Sequence, residues 1–133
     1  MNAQDLRERL GGTWTVRPDG WWRPVELERL RSSASVLKAG DARFAALTVR
    51  QDGASMKLAW HWDVEGTLLS LEAGLAPGAA IPSLVDIWPG ADWAEREARD
   101  YYAVSFSGRD DTPPLMLREG EAPGVLLPRK DGK

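Results

Sequence analysis

An α+β fold around a single core is predicted for this 133-residue chain by three observations. Helical periodicity between residues 24 and 40 gives way to three successive β-rich runs between residues 44 and 71, and helical periodicity returns between residues 91 and 102. The strand signals are gathered between helices instead of alternating with them. With 43% apolar residues, this length suffices for one two-layer core.

The elements follow in order. Ala3 to Leu10 reads as a short helix, with Asn2 as its N-cap and Gly11-Gly12 as its stop. Thr13 to Val16 alternates like a strand. Arg17-Pro18-Asp19-Gly20 carries turn chemistry, because proline presets φ and glycine supplies a positive one, and Trp21-Trp22 reads as a packed corner. Pro24 suits the first position of a second helix, in which Leu27, Leu30, Ala34 and Leu37 recur at intervals of three or four before Gly40 offers a stop. Phe44 to Arg50, Met56 to Asp63 and Thr67 to Leu71 read as strands, joined by hairpin-type turns at Asp52-Gly53 and Glu65-Gly66.

In the middle strand Met56, Leu58, Trp60 and Trp62 alternate with Lys57, Ala59, His61 and Asp63, which predicts a sheet with one wet face. His61, the only histidine, is expected on that exposed face as surface decoration. Ala73 to Pro82 is rich in Ala, Gly and Pro and reads as a loop. The pattern turns helical briefly from Ser83 and clearly from Ala91 to Tyr102, where Ala91, Ala94, Ala98, Tyr101 and Tyr102 share one stripe. Val104 to Phe106 can form a last strand. Pro113, Pro114, Pro123 and Pro128 argue for extended chain beyond it, so residues 1–107 are expected to form the α+β domain and residues 108–133 a C-terminal tail.

Composition removes several function classes. A charged fraction of 28% and a net charge of −3 indicate no polyanion-binding surface, so nucleic acid is not an expected partner. There is no cysteine and one histidine, which leaves none of the usual ligand sets for iron–sulfur clusters, structural zinc or haem. No apolar run approaches the roughly 18 to 20 residues that cross a bilayer, and MNAQDLRERL lacks the apolar centre of a secretory signal, so a soluble or peripheral protein is expected. No glycine-rich phosphate loop is present, and NADH is not expected to bind this chain. Seven tryptophans suit a core, an interface or a carbohydrate platform, and composition alone does not choose among them.

The segment Asp86 to Asp100 crowds charges onto one helix. Asp92/Arg96, Glu95/Arg99 and Arg96/Asp100 are four apart and can pair on the helix surface for about 0.3 to 0.5 kcal/mol each, which by itself describes a solvated face. Trp88 and Trp93 beside these charges change the reading, because an aromatic anchor ringed by arginine and carboxylates is what an interface centre contains. A glycosidase reading of the carboxylates is weaker, since catalytic acids face each other across a cleft and these share one helix with arginines that keep them ionised.

Ile87-Trp88 followed by Ala91, Trp93, Glu95-Arg96-Glu97 and Asp100-Tyr101-Tyr102 resembles the signature of the respiratory-chain NADH dehydrogenase 30 kDa subunit, which is the C subunit of the bacterial NADH-quinone oxidoreductase. The terminal Leu127-Pro128-Arg129-Lys130-Asp131 resembles the closing P-L-R-K-D of that family. Ala103 stands where the family has a glycine, Arg109-Asp110 where it has His-Pro, and Leu127-Pro128 inverts its order, as in a divergent, short member.

The resemblance implies a mixed β-sheet covered by helices on one face. It implies a subunit without prosthetic groups, the iron–sulfur, FMN and quinone sites lying on partner subunits, and no catalysis by the chain alone. Its place would be the cytoplasmic arm of a proton-translocating complex, against the large quinone-site subunit and in contact with the membrane only indirectly. Trp88, Trp93, Glu95, Arg96, Glu97 and Asp100 would hold and dock the helix, while Arg118, Arg129, Lys130 and Asp131 would lie along a neighbour. An equivalent subunit of a membrane-bound hydrogenase, a tryptophan-rich carbohydrate-binding module and a homo-oligomer of the isolated chain remain alternatives.

Overall fold

Helix α1 (Ala3–Leu10) begins where its cap is predicted. Asn2 Oδ1 accepts from the Asp5 N–H at 2.8 Å and the Asp5 carboxylate accepts from the Asn2 N–H at 3.3 Å, a reciprocal capping box. The computed structural model describes residues 1–53, 55–109, 112–118 and 120–127.

Strands β1 (Thr15–Arg17) and β2 (Gly20–Pro24) form an antiparallel hairpin through the Pro18-Asp19 turn. Gly20 has a φ of 138°, and a Cβ there would collide with the Leu68 carbonyl oxygen, so glycine alone fits this approach of two backbones. The chain then runs through α2 (Leu27–Ala39) and returns as the hairpin series β3 (Arg43–Asp52), β4 (Ser55–Val64) and β5 (Thr67–Leu75). The sheet order is β1-β2-β5-β4-β3. All pairs in it are antiparallel except β2 with β5, which are parallel because the α2 crossover separates them in sequence. A second, two-stranded parallel pair joins β6 (Ala80–Pro82) to β7 (Ser105–Ser107), with α3 (Ala91–Tyr102) between them.

The expected α+β class and mixed sheet are therefore present. Trp60, Trp62, Leu58, Leu69 and Leu71 line one sheet face and share a core with Leu6 of α1, Leu30, Ala34 and Leu37 of α2, and Ala91 and Ala98 of α3. Phe44 and Trp88 close the middle of that core, with ring centroids 5.8 and 6.4 Å from Trp62. Trp60 and Trp62 are fully buried, and truncating a ring of this size in a core costs about 3–5 kcal/mol.

Several sequence expectations need correction. Trp21-Trp22 is no corner: both lie in β2, Trp21 opposite Leu69 and Trp22 opposite Ser70. Pro24 ends β2 instead of opening α2, and Val25 donates to the Glu72 carbonyl at 2.8 Å before the helix starts at Leu27. The predicted loop from Ala73 to Pro82 contains the end of β5 and all of β6. Ala73 and Leu75 keep the alternation of β5 and pair with Leu58 and Met56, so core burial overrides the poor strand propensity of this stretch. The brief helix expected from Ser83 is a single turn over residues 85–87, in which Leu84 O accepts from the Ile87 and Trp88 N–H groups.

A further correction concerns His61, which is 7% exposed. Its Nε2 lies 2.9 Å from Thr48 Oγ1, its Nδ1 lies 2.6 Å from Ser70 Oγ, and Trp22 packs edge-on at 5.3 Å. The face opposite the helices thus buries a hydrogen-bonded row of its own, because β2 adds Trp22 beside β5. Burial pushes the imidazole below its ordinary value of 6.5, and this outweighs the upward pull of Asp19 and Glu72.

A histidine whose pKa is lower folded than unfolded binds its proton more readily in the unfolded chain. Stability is then complete above about 6.5 and declines as pH falls from there through the folded pKa. The sole imidazole is expected to titrate with an NMR midpoint below about 6.5, with the thermal midpoint lower at pH 5 than at pH 7.5. A midpoint above 6.5 contradicts the burial of His61.

Candidate functional site

The signature segment forms α3, and its charged side chains turn mainly toward their own chain. Glu95 is 1% exposed. Its Oε1 accepts from Ser83 Oγ at 2.6 Å and Arg109 Nη1 at 3.1 Å, and its Oε2 accepts from the Leu84 N–H at 2.8 Å. Arg109 Nη2 also reaches Asp92 Oδ1 at 2.7 Å. One carboxylate therefore ties the turn before α3 to the chain after β7. Burial alone lowers the Arg109 pKa, but its bonds to Asp92 and Glu95 outweigh that and hold it above its ordinary value. Arg31 of α2 secures the same turn through a two-point ion pair with Asp86, at 2.8 and 2.6 Å, and a bond to the Ser83 carbonyl.

Asp100 is completely buried and does the same for the tail. Its Oδ2 accepts the consecutive N–H groups of Leu115, Met116 and Leu117 at 2.9, 2.7 and 3.2 Å, and its Oδ1 takes Arg99 Nη1 at 3.0 Å. Successive main-chain donors on one anion form a nest. Burial pushes this carboxyl up, but the N–H groups of Met116, Leu117 and Leu115 together with Arg99 hold it below the usual carboxylate range.

The last carbonyls of α3 are used in the same way. Asp100 O accepts from the Gly124 and Val125 N–H groups and Tyr101 O from Leu126, while Arg96 Nη2 donates to the Pro114 carbonyl at 2.7 Å. Described residues 112–127 contain no helix or strand, and they form a strap across α3. Helix α3 ends at Ala103, whose φ of 55° and ψ of 31° lie in the left-handed region. This is the position at which the resembled family carries glycine.

The expected docking residues separate into three groups. Trp88, Glu95 and Asp100 are buried, and the contacts their side chains make are within the chain. Trp88 stacks in the core and donates through Nε1 to the Ala34 carbonyl at 3.3 Å. Arg96 is largely engaged with Pro114 and with Asp92, 3.6 Å away. Trp93, Glu97 and Arg118 face outward. Arg129, Lys130 and Asp131 lie outside the described residues.

Of the three surface pairs expected on α3, only Asp92–Arg96 forms, because Arg109 and Arg99 take Glu95 and Asp100. Arg109 was not identifiable in advance as a site residue. Its only signal was that it replaces the histidine of the resembled pattern.

A trough runs between α3 and the edge strand β3. One stretch, of about 310 Å³, is lined by Leu47, Val49, Tyr101, Tyr102, Leu126 and Glu97, and the next, of about 220 Å³, by Phe44, Ala46, Trp93, Ala94 and again Glu97. A separate cleft of about 830 Å³ between β7 and the strap has Arg99 and Arg109 in its wall and no carboxylate among the described residues that line it. Facing acids of the kind that glycoside hydrolysis uses are not present among those described lining residues. Among the seven tryptophans Trp93 alone is exposed, while Trp14, Trp21 and Trp22 are half-buried and the Arg7 and Arg17 guanidinium groups lie over the Trp21 and Trp22 rings. No cluster of three or more His, Cys, Asp or Glu able to hold a metal occurs among the described residues, and no helix among them is long and apolar enough to cross a membrane.

Asp100→Ala strands three N–H groups and is expected to cost about 3 kcal/mol in urea unfolding, with faster hydrogen exchange at Leu115 to Leu117. Exchange at the wild-type rate sinks the nest assignment. Ala103→Gly removes the left-handed penalty and is expected to stabilise by about 1 kcal/mol; a loss of stability contradicts the assigned helix end.

Residues 24–131 match the family model described as the respiratory-chain NADH dehydrogenase 30 kDa subunit. The C subunit of NADH-quinone oxidoreductase from Rhodopseudomonas palustris (strain BisB18) is 41% identical over 63 residues, 46% of this chain and 32% of that protein. The corresponding C subunit from Rhodobacter capsulatus is 35% identical over 68 residues, 48% of this chain and 33% of its own. The C/D subunit from Gluconacetobacter diazotrophicus is 33% identical over 105 residues, 68% of this chain and 18% of its own. The aligned region thus spans a third or less of each of these relatives. Among solved structures, a chain of the membrane-bound sulfane sulfur reductase, an archaeal respiratory membrane complex, superposes with a TM-score of 0.76 at 20% identity, covering 98% of this chain and 82% of that one, which establishes a shared fold. With the matched region taking in α2, the sheet from β3 to β5, α3 and the strap, this chain belongs to the respiratory-chain NADH dehydrogenase 30 kDa subunit family.

Proposed function

We propose that the chain is a cofactor-free assembly subunit in the peripheral arm of a proton-translocating NADH-quinone oxidoreductase, docked on the large quinone-site subunit at the cytoplasmic side of the membrane. The observation that carries this reading is the division of labour on α3. Its buried acids tie the turn before the helix and the strap to it, while Trp93 and Glu97 on the same helix point outward with no hydrogen bond or ion pair from their side chains among the described residues. A rigid helix presenting an exposed tryptophan suits a docking element, because pre-organisation lowers the entropy lost on association.

Two further points support it. Relatives in Gluconacetobacter diazotrophicus and Aquifex aeolicus are named as a joined C/D subunit, which favours the D portion as the neighbour. With no cysteine and a single histidine whose ring nitrogens are engaged by Thr48 and Ser70, the chain offers none of the usual iron–sulfur ligand sets, so electron transfer is assigned to other subunits of the assembly.

Co-production with the large quinone-site subunit of the same complex is expected to yield a stoichiometric pair, while the isolated chain shows no NADH oxidation. A chain that elutes free of that subunit and of the assembled complex, or that oxidises NADH alone, overturns the proposal.

A further inference from the structure

The trough between α3 and β3 has an unusual charge layout. Asp92, Glu95 and Asp100 of α3 all have partners, whereas Glu97 has neither a hydrogen bond nor an ion pair among the described residues. Yet Glu97 lines both stretches of the trough, between Trp93 four residues before it and Tyr101 four residues after it. Positions four apart on a helix share a face, so these three side chains stand in a row about 12 Å long. Trp93 is 63% exposed at one end and Leu126 is 55% exposed at the other. Apolar side chains of β3, among them Phe44 and Leu47, form the opposite wall.

Covering this row with a purely apolar segment desolvates Glu97 without compensation, which is strongly unfavourable. An acidic or phosphate-bearing occupant meets the carboxylate with like charge. We infer that the trough receives a segment of the partner subunit that sets one lysine or arginine between large apolar side chains, the cation pairing with Glu97 while its neighbours pack on Trp93 and Tyr101. This assignment rests on the docking reading above and specifies its chemistry. The cation selects the register, and the exposed tryptophan supplies most of the buried apolar area.

The test measures affinity for the purified large quinone-site subunit by isothermal titration. Glu97→Arg is expected to weaken binding at least about tenfold, Glu97→Gln and Trp93→Ala to weaken it by lesser factors, and Glu8→Arg, the same charge change on α1, to leave it unaltered. The unfolding midpoint of Glu97→Arg should match wild type, since Glu97 holds no other side chain or backbone group among the described residues. Unchanged affinity in Glu97→Arg, with wild type binding, overturns the trough assignment alone. Absence of wild-type binding overturns the docking reading and this assignment together. Self-association of the isolated chain that Glu97→Arg abolishes places a second copy in the trough and likewise overturns the assignment.

Discussion

The structure depends on what happens to two buried carboxylates. Glu95 and Asp100 lie on one helix, both out of water, and each is stable there only because it is surrounded by donors. Apart from Arg99 on the helix itself, those donors come from elsewhere in the chain: Ser83 and Leu84 before the helix, Arg109 after β7, and three consecutive N–H groups of the strap. The charges thus dictate the path of the backbone. The described part of the strap has no helix or sheet ladder of its own, and the Asp100 carboxylate holds it against α3 together with the last carbonyls of the helix and Arg96.

That constraint explains how a charged helix can belong to the core. The division of α3 faces is threefold: Ala91 and Ala98 pack into the apolar core, Glu95 and Asp100 bind turn and strap, and Trp93 and Glu97 remain outside. The arginines are divided in the same way. Arg109 is nearly enclosed by Asp92 and Glu95, Arg96 reaches the Pro114 carbonyl, and Arg31 fastens the preceding turn to α2. A family signature of acids and arginines is therefore an internal framework first, and the proposed docking falls to the side chains that the framework leaves exposed.

Much of this was legible in the sequence where one periodicity reports one-sided burial. The cap at Asn2, the stripe of α2, the hairpins of β3 to β5 and the extent of α3 all follow from local pattern and turn chemistry. What escaped depends on partners distant in the chain. Trp22 and His61 meet because β2 adds in parallel to β5, and no local alternation encodes that pairing. Ala73 looks like loop because alanine is a poor strand former, yet it is held by Leu58 across the ladder. Two of the three surface pairs expected at spacing four were outcompeted, by Arg109 at Glu95 and by Arg99 and the strap at Asp100. Prolines disfavour helix and sheet, but they do not disclose whether the donors of such a segment find water, another subunit or a carboxylate of their own chain.

The central claim, that the strap belongs to this chain's own fold, is tested most directly by ¹⁵N relaxation of the isolated protein. The account predicts backbone order parameters for Leu115 to Leu117 and Gly124 to Leu126 close to those of α3, about 0.85. Values below about 0.6 in the free chain, rising only when another subunit is added, would contradict it.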